Sequence, residues 1–127
     1  MDEQLISQCQ TLIKLFEQAE VALTEYKKDK TEGNSVNLNN IIDRISVTWH
    51  ELKDAGETDP IVQPRISNTE IMIRYGIDSL RKLKANVDQN IQEEKFFRAR
   101  HMYKGCDTLV SRIREELIGL ISDKKKC

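Results

Sequence analysis

The chain has 127 residues, a formal net charge of −1, 39% hydrophobic and 32% charged residues, five Gly and two Pro. That length predicts a single domain over residues 1–127, large enough to bury its own core, and the scarcity of Gly and Pro excludes a turn-rich all-β fold. No apolar run approaches the roughly 18 residues that span a bilayer, and the start Met1-Asp2-Glu3-Gln4 lacks the basic and apolar regions of a secretory leader.

Cys9, Cys106 and Cys127 form an odd set with no close pairing, which points to a reducing compartment, cytoplasmic or nuclear. Charge divides along the chain. Residues 1–63 hold six Lys/Arg against twelve Asp/Glu, and residues 64–127 hold fourteen against nine. Acidic early helices packing beside basic later ones would account for this. A basic face for an anionic partner is the other reading.

Helix one is expected from about Asp2 to about Thr31. Leu5, Cys9, Leu12, Phe16, Ala19, Leu23 and Tyr26 repeat at 4-3-4-3 spacing, the period of helices packed lengthwise. Asp2 and Glu3 suit its positive end, and Lys27, Lys28 and Lys30 its negative end. Gly33 reads as its stop. Helix two is expected from about Val36 to Ala55 on the stripe Leu38, Ile42, Ile45, Trp49 and Leu52, with Ser35 or Asn37 as cap and Gly56 as its end.

Residues 56–66 read as the one long connection. Pro60 and Pro64 both lie in it and each removes a backbone donor. Ile61, Val62 and Ile66 would tack it onto the body. Helix three then opens at Ser67-Asn68-Thr69-Glu70, a capping-box pattern, and continues on Ile73, Ile77, Leu80, Val87 and Ile91, flanked by Leu83. Lys84 falls on that seam. Either its stem lies along the seam with the ammonium in water, or it sets register and partner choice.

A turn is expected near Asp88–Asn90, where the stripe weakens, although no Gly or Pro excludes one continuous helix through that point. Helix four is expected from about Ile91 to Ser122. It carries two rows at seven-residue spacing: Ala99, Cys106, Ile113, Leu120, and Phe96, Tyr103, Val110, Leu117, with Met102 and Leu109 between them. That double row, and Ile6, Ile13, Leu15 and Ala22 beside the seam of helix one, make faces wider than a two-stranded coiled coil needs. The expected fold is therefore all-α: an antiparallel up-down-up-down four-helix bundle with a proline-containing loop between helices two and three.

Chemistry is sparsely signalled. There is no Cys-x-x-Cys, and neither His50 nor His101 follows a Glu three residues earlier, so no cofactor or metal is expected. No nucleophile–base arrangement or Gly-rich phosphate loop is visible. Gly76, Gly105 and Gly119 interrupt helical patterns and mark close helix approach or a kink. Once i,i+3 and i,i+4 ion pairs such as Arg112 with Glu115 or Glu116 are set aside, Arg74, Arg81, Lys84, Arg100, Lys104 and the tail Lys124–Lys126 remain.

The expected function is a non-enzymatic protein–protein interaction module, a small adaptor or structural subunit of a larger assembly. It would dock protein partners through helix faces, with Arg74, Arg81, Lys84, Arg100 and Lys104 as the candidate contact residues. Self-association through a leftover apolar strip stays open. The alternative is a small helical nucleic-acid-binding subunit using the basic face of helices three and four.

Overall fold

The computed structural model of the chain describes residues 2–89 and 109–125. They form four helices: α1 over Asp2–Lys28, α2 over Glu32–Glu57, α3 over Gln63–Asp88 and α4 over Leu109–Lys125. No strand occurs among the described residues. The heptad positions are the core. All seven seam residues of α1 are buried, as are Leu38, Ile42, Ile45, Trp49 and Leu52 of α2 and Ile73, Ile77, Leu80, Leu83 and Val87 of α3. Both rows expected on the last helix are buried where they are described, at Val110, Ile113, Leu117 and Leu120. Ile91, Phe96, Ala99, Met102, Tyr103 and Cys106 lie outside the described residues.

One hydrophobic cluster joins the four helices. α1 and α3 each touch the other three, whereas α2 and α4 do not touch among the described residues. Cross-helix pairs give the relative order. Asp43 meets Arg81 and Lys53 meets Glu70, so rising positions on α2 face falling positions on α3. On the other flank of α3, Arg65 meets Asp123 while Gly76 faces Ile113.

The helix boundaries depart from the sequence expectation at three places. α1 ends at Lys28, and α2 starts at Glu32, before Gly33. Thr31 is the reason: its backbone is extended, and its hydroxyl accepts the Asn34 N–H at 3.1 Å, satisfying a donor of the first turn. α2 then runs through a buried Gly56 to Glu57. α3 begins at Gln63, not Ser67, because Pro64 sits in the first turn, where its missing N–H has no helical partner to lose. The proline connection therefore shrinks to residues 58–62, with Pro60 in it and Pro64 inside the helix. No capping box forms at Ser67-Asn68-Thr69-Glu70, which lies within α3; its cap residue is Val62. Val62 and Ile66 are fully packed and Ile61 partly so, which ties the short turn to the core.

α3 closes at Asp88 with Gln89 as its cap, and the Gln89 N–H donates to Ala85 O at 3.1 Å. α4 packs back against α3, which one straight helix through both could not do.

Three glycines lie in close approach, and a Cβ on Gly56 would stand 2.5 Å from Ile66 Cδ1. A Cβ on Gly76 would stand 2.7 Å from Ile113 Cδ1 and 3.0 Å from Phe16 Cε1, so α1, α3 and α4 meet there over a hydrogen atom. A Cβ on Gly119 would stand 2.7 Å from the Arg65 guanidinium, which lies across it. From that position Arg65 donates to Asp123 at 2.9 Å and to Glu116 at 3.4 Å. Arg112 adds a 2.9 Å pair to Glu116, which is itself buried. Lys124 does more than oppose the helix dipole: it is 9% exposed and its ammonium reaches Asp59 in the turn between α2 and α3. At the other end of the bundle the Tyr26 hydroxyl donates to Asp88.

Substitution of Gly76 separates packing from helix propensity. Alanine at an unconstrained helical glycine stabilises by about 1 kcal/mol. Here overpacking outweighs that gain, and Gly76→Ala lowers stability by about 1 kcal/mol and Gly76→Val by about 3. Urea unfolding measures both, and a stabilised Gly76→Ala protein contradicts the close approach.

The ionic clamps carry a pH signature. The Lys124 bond, followed by the Ile61 N–H, holds the Asp59 carboxyl below its ordinary range, and the Tyr26 bond, followed by Lys84, does the same for Asp88. A carboxyl lowered in the folded state stabilises it above the unfolded value of about 3.9, and that contribution is lost as pH falls through the folded value. Asp59→Asn should therefore cost about 1–2 kcal/mol at neutral pH. The deficit relative to the parent should shrink at about pH 2. An equal deficit at both pH values contradicts the assignment.

Candidate functional site

The sequence-predicted contact residues do not form one patch. Arg74 and Arg81 lie seven residues apart on α3 and both line a groove between α2 and α3. Lys84 is turned away from it: its ammonium stands 5.3 Å from the Tyr26 ring centroid and donates to Asp88 at 3.2 Å. Its side chain is 13% exposed, so the stem lies along the seam as a clamp between the ends of α1 and α3. Arg100 and Lys104 lie outside the described residues.

The groove encloses about 630 Å³ and is lined from α2 by Ser46, Trp49, His50 and Lys53. Its α3 side carries Glu70, Ile71, Arg74, Tyr75, Ile77, Asp78 and Arg81. The amphipathic pattern explains the arrangement. Trp49 and Ile77 belong to the core stripes and form the floor, while the residues one step round each helix form the walls. Ile71 is the most exposed large apolar residue described, at 64%. Tyr75, half-buried, packs against the core beside it.

Ion pairs mark the two ends. Lys53 meets Glu70 at 3.2 Å near one end, and Arg81 meets Asp43 at 3.8 Å near the other. From Glu70 to Arg81 is eleven residues, or about 16 Å of helix. Arg74 contacts only the far reach of Glu70, at 3.6 Å, and its side chain is 75% exposed. Arg81 is 54% exposed. Both distances exceed a hydrogen bond, so each planar guanidinium keeps donors directed to solvent.

A second, shallower groove of about 450 Å³ lies between α1 and α2. It is lined by Glu17, Val21, Glu25, Ile41 and Arg44 among others. Its charged wall is mainly acidic, in contrast to the arginine rim of the first.

Burial pushes the Cys9 thiol up to about 12, so it stays protonated at neutral pH and behaves as a core residue. Among the described residues no group of three or more His, Cys, Asp or Glu side chains could hold a metal ion. No described helix is long and apolar enough to cross a membrane.

Sequence reasoning isolated Arg74 and Arg81 as charges left over after local pairing. It missed their partners in the groove. His50 was weighed only as a metal ligand, and Ile71 carried no expectation. The available signal was Ile71 itself, an apolar residue outside the stripe of α3, three residues before Arg74 and ten before Arg81.

A surface built for contact is separable from the core in a stability measurement. Ile71→Ser and the pair Arg74→Ala/Arg81→Ala should each shift unfolding free energy by no more than about 0.5 kcal/mol. Trp49→Ala on the groove floor should cost about 3–5 kcal/mol. Urea melts of the three proteins check this, and a large loss from the rim substitutions contradicts their placement.

Comparison with protein-family models, curated proteins and solved structures finds no match to this chain.

Proposed function

We propose that the protein is a non-enzymatic interaction module, an adaptor or structural subunit, that docks a helix of a partner protein in the groove between α2 and α3. The observation that carries this reading is the groove itself. An exposed Ile71 and a half-buried Tyr75 stand over an apolar floor, with Arg74 and Arg81 on the rim. A helix laid there would bury apolar surface against Ile71 and Tyr75, the usual source of affinity in helix-in-groove recognition.

The nucleic-acid alternative is less well supported. Phosphate backbones are bound by converged cations with aromatic faces free for stacking. Here Asp78 stands between Arg74 and Arg81, Lys84 is held by Asp88, and Trp49 is only 3% exposed.

A photo-crosslinking amino acid placed at Ile71 tests the reading in native lysate, with Val21 as the control site. Val21 has comparable exposure, 59% against 64%, but lies on the other groove. A discrete protein adduct from position 71, absent from position 21, is the expected result. Adducts of nucleic acid, or the same adducts from both positions, overturn it.

A further inference from the structure

The rim of the α2–α3 groove carries an ordered row of charge that narrows the kind of helix it can accept. Arg74, Asp78 and Arg81 follow one another at spacings of four and three residues, so they share one face of α3 above the groove. Arg74 and Arg81 are about 10.5 Å apart along the helix axis. Arg74 touches Glu70 only at 3.6 Å and Arg81 touches Asp43 only at 3.8 Å. Glu70 is already engaged by Lys53 at the shorter distance of 3.2 Å. The two guanidinium forks therefore stand at the rim with donors left for a carboxylate, which their planar geometry can hold through two parallel bonds. Asp78, exposed between them, repels a third carboxylate at the middle position.

We infer that the occupant of this groove is an amphipathic partner helix bearing two acidic residues one heptad apart, with a neutral or basic residue between them on the same face. Its apolar stripe lies on Ile71 and Tyr75. The arrangement is that of flanking charges in a coiled coil, where the apolar seam supplies affinity and the charged rows supply partner choice and register. The length fits: the walls from Glu70 to Arg81 offer about three helical turns. The groove between α1 and α2, lined by Glu17, Glu25 and Arg44, has no pair of arginines to meet those acids. This inference rests on the proposed docking function and adds the chemistry of the partner.

The test is a display library of helical peptides with randomised faces, panned against the full chain. Two designed peptides of equal apolar content serve as direct probes. One carries Glu-Lys-Glu at the heptad-compatible positions, and the other carries Lys-Glu-Lys. The expected result is enrichment of paired acids at seven-residue spacing and at least tenfold tighter binding of the Glu-Lys-Glu peptide. Arg74→Glu/Arg81→Glu should reverse that preference, and added salt should reduce it. Peptides that bind, lose binding on Ile71→Glu, yet show no acidic spacing and no reversal overturn this inference while leaving the docking site intact. Absence of any binding that depends on Ile71 overturns both.

Discussion

One close contact joins three helices of this protein: Gly76 of α3 lies against Phe16 of α1 and Ile113 of α4. Interior packing is dense, and the missing side chain leaves room for the Ile113 and Phe16 side chains against the backbone of α3. The bundle is unequal. α1 and α3 touch across one diagonal, whereas α2 and α4 do not touch across the other among the described residues. α3 packs against all three other helices, and the flank it shares with α2 carries the groove. The core and the candidate site are thus two sides of the same helix, one filled and one left open.

Polar contacts pin the ends of this arrangement. Arg65 lies across Gly119 to reach Asp123 and Glu116, and Lys124 reaches Asp59, so α4 is tied to the start of α3. Tyr26, Asp88 and Lys84 tie the ends of α1 and α3. Partly buried pairs of this kind add less net stability than apolar packing, but breaking one leaves a charge without its partner. Each pair joins fixed positions on different elements, so sliding one helix by a turn would separate the partners.

The core was largely legible in the sequence because a heptad stripe is local and repeats. Every seam position of α1 from Leu5 to Tyr26 is buried as its spacing implied. The helix ends were less legible, because a boundary depends on a few backbone donors. Thr31 caps α2 earlier than Gly33 suggested, and Pro64 begins a helix where it looked like part of a loop. The cross-helix contacts were not legible at all. Arg65 and Asp123 are 58 residues apart, and nothing local connects them. The candidate site falls between these cases. Arg74 and Arg81 stood out as leftover charges, although Glu70 lies one turn before Arg74, and Lys84 shares their helix without sharing their face of the bundle. That distinction exists only once α1 has packed.

The close contact at Gly76 is tested most directly by a double-mutant cycle with Ile113→Val, which removes the Cδ1 atom that a new Cβ would strike. If the contact governs the packing, Gly76→Ala should be less damaging in the Ile113→Val background, with a coupling energy of about 1 kcal/mol. Strict additivity of the two substitutions would contradict the account.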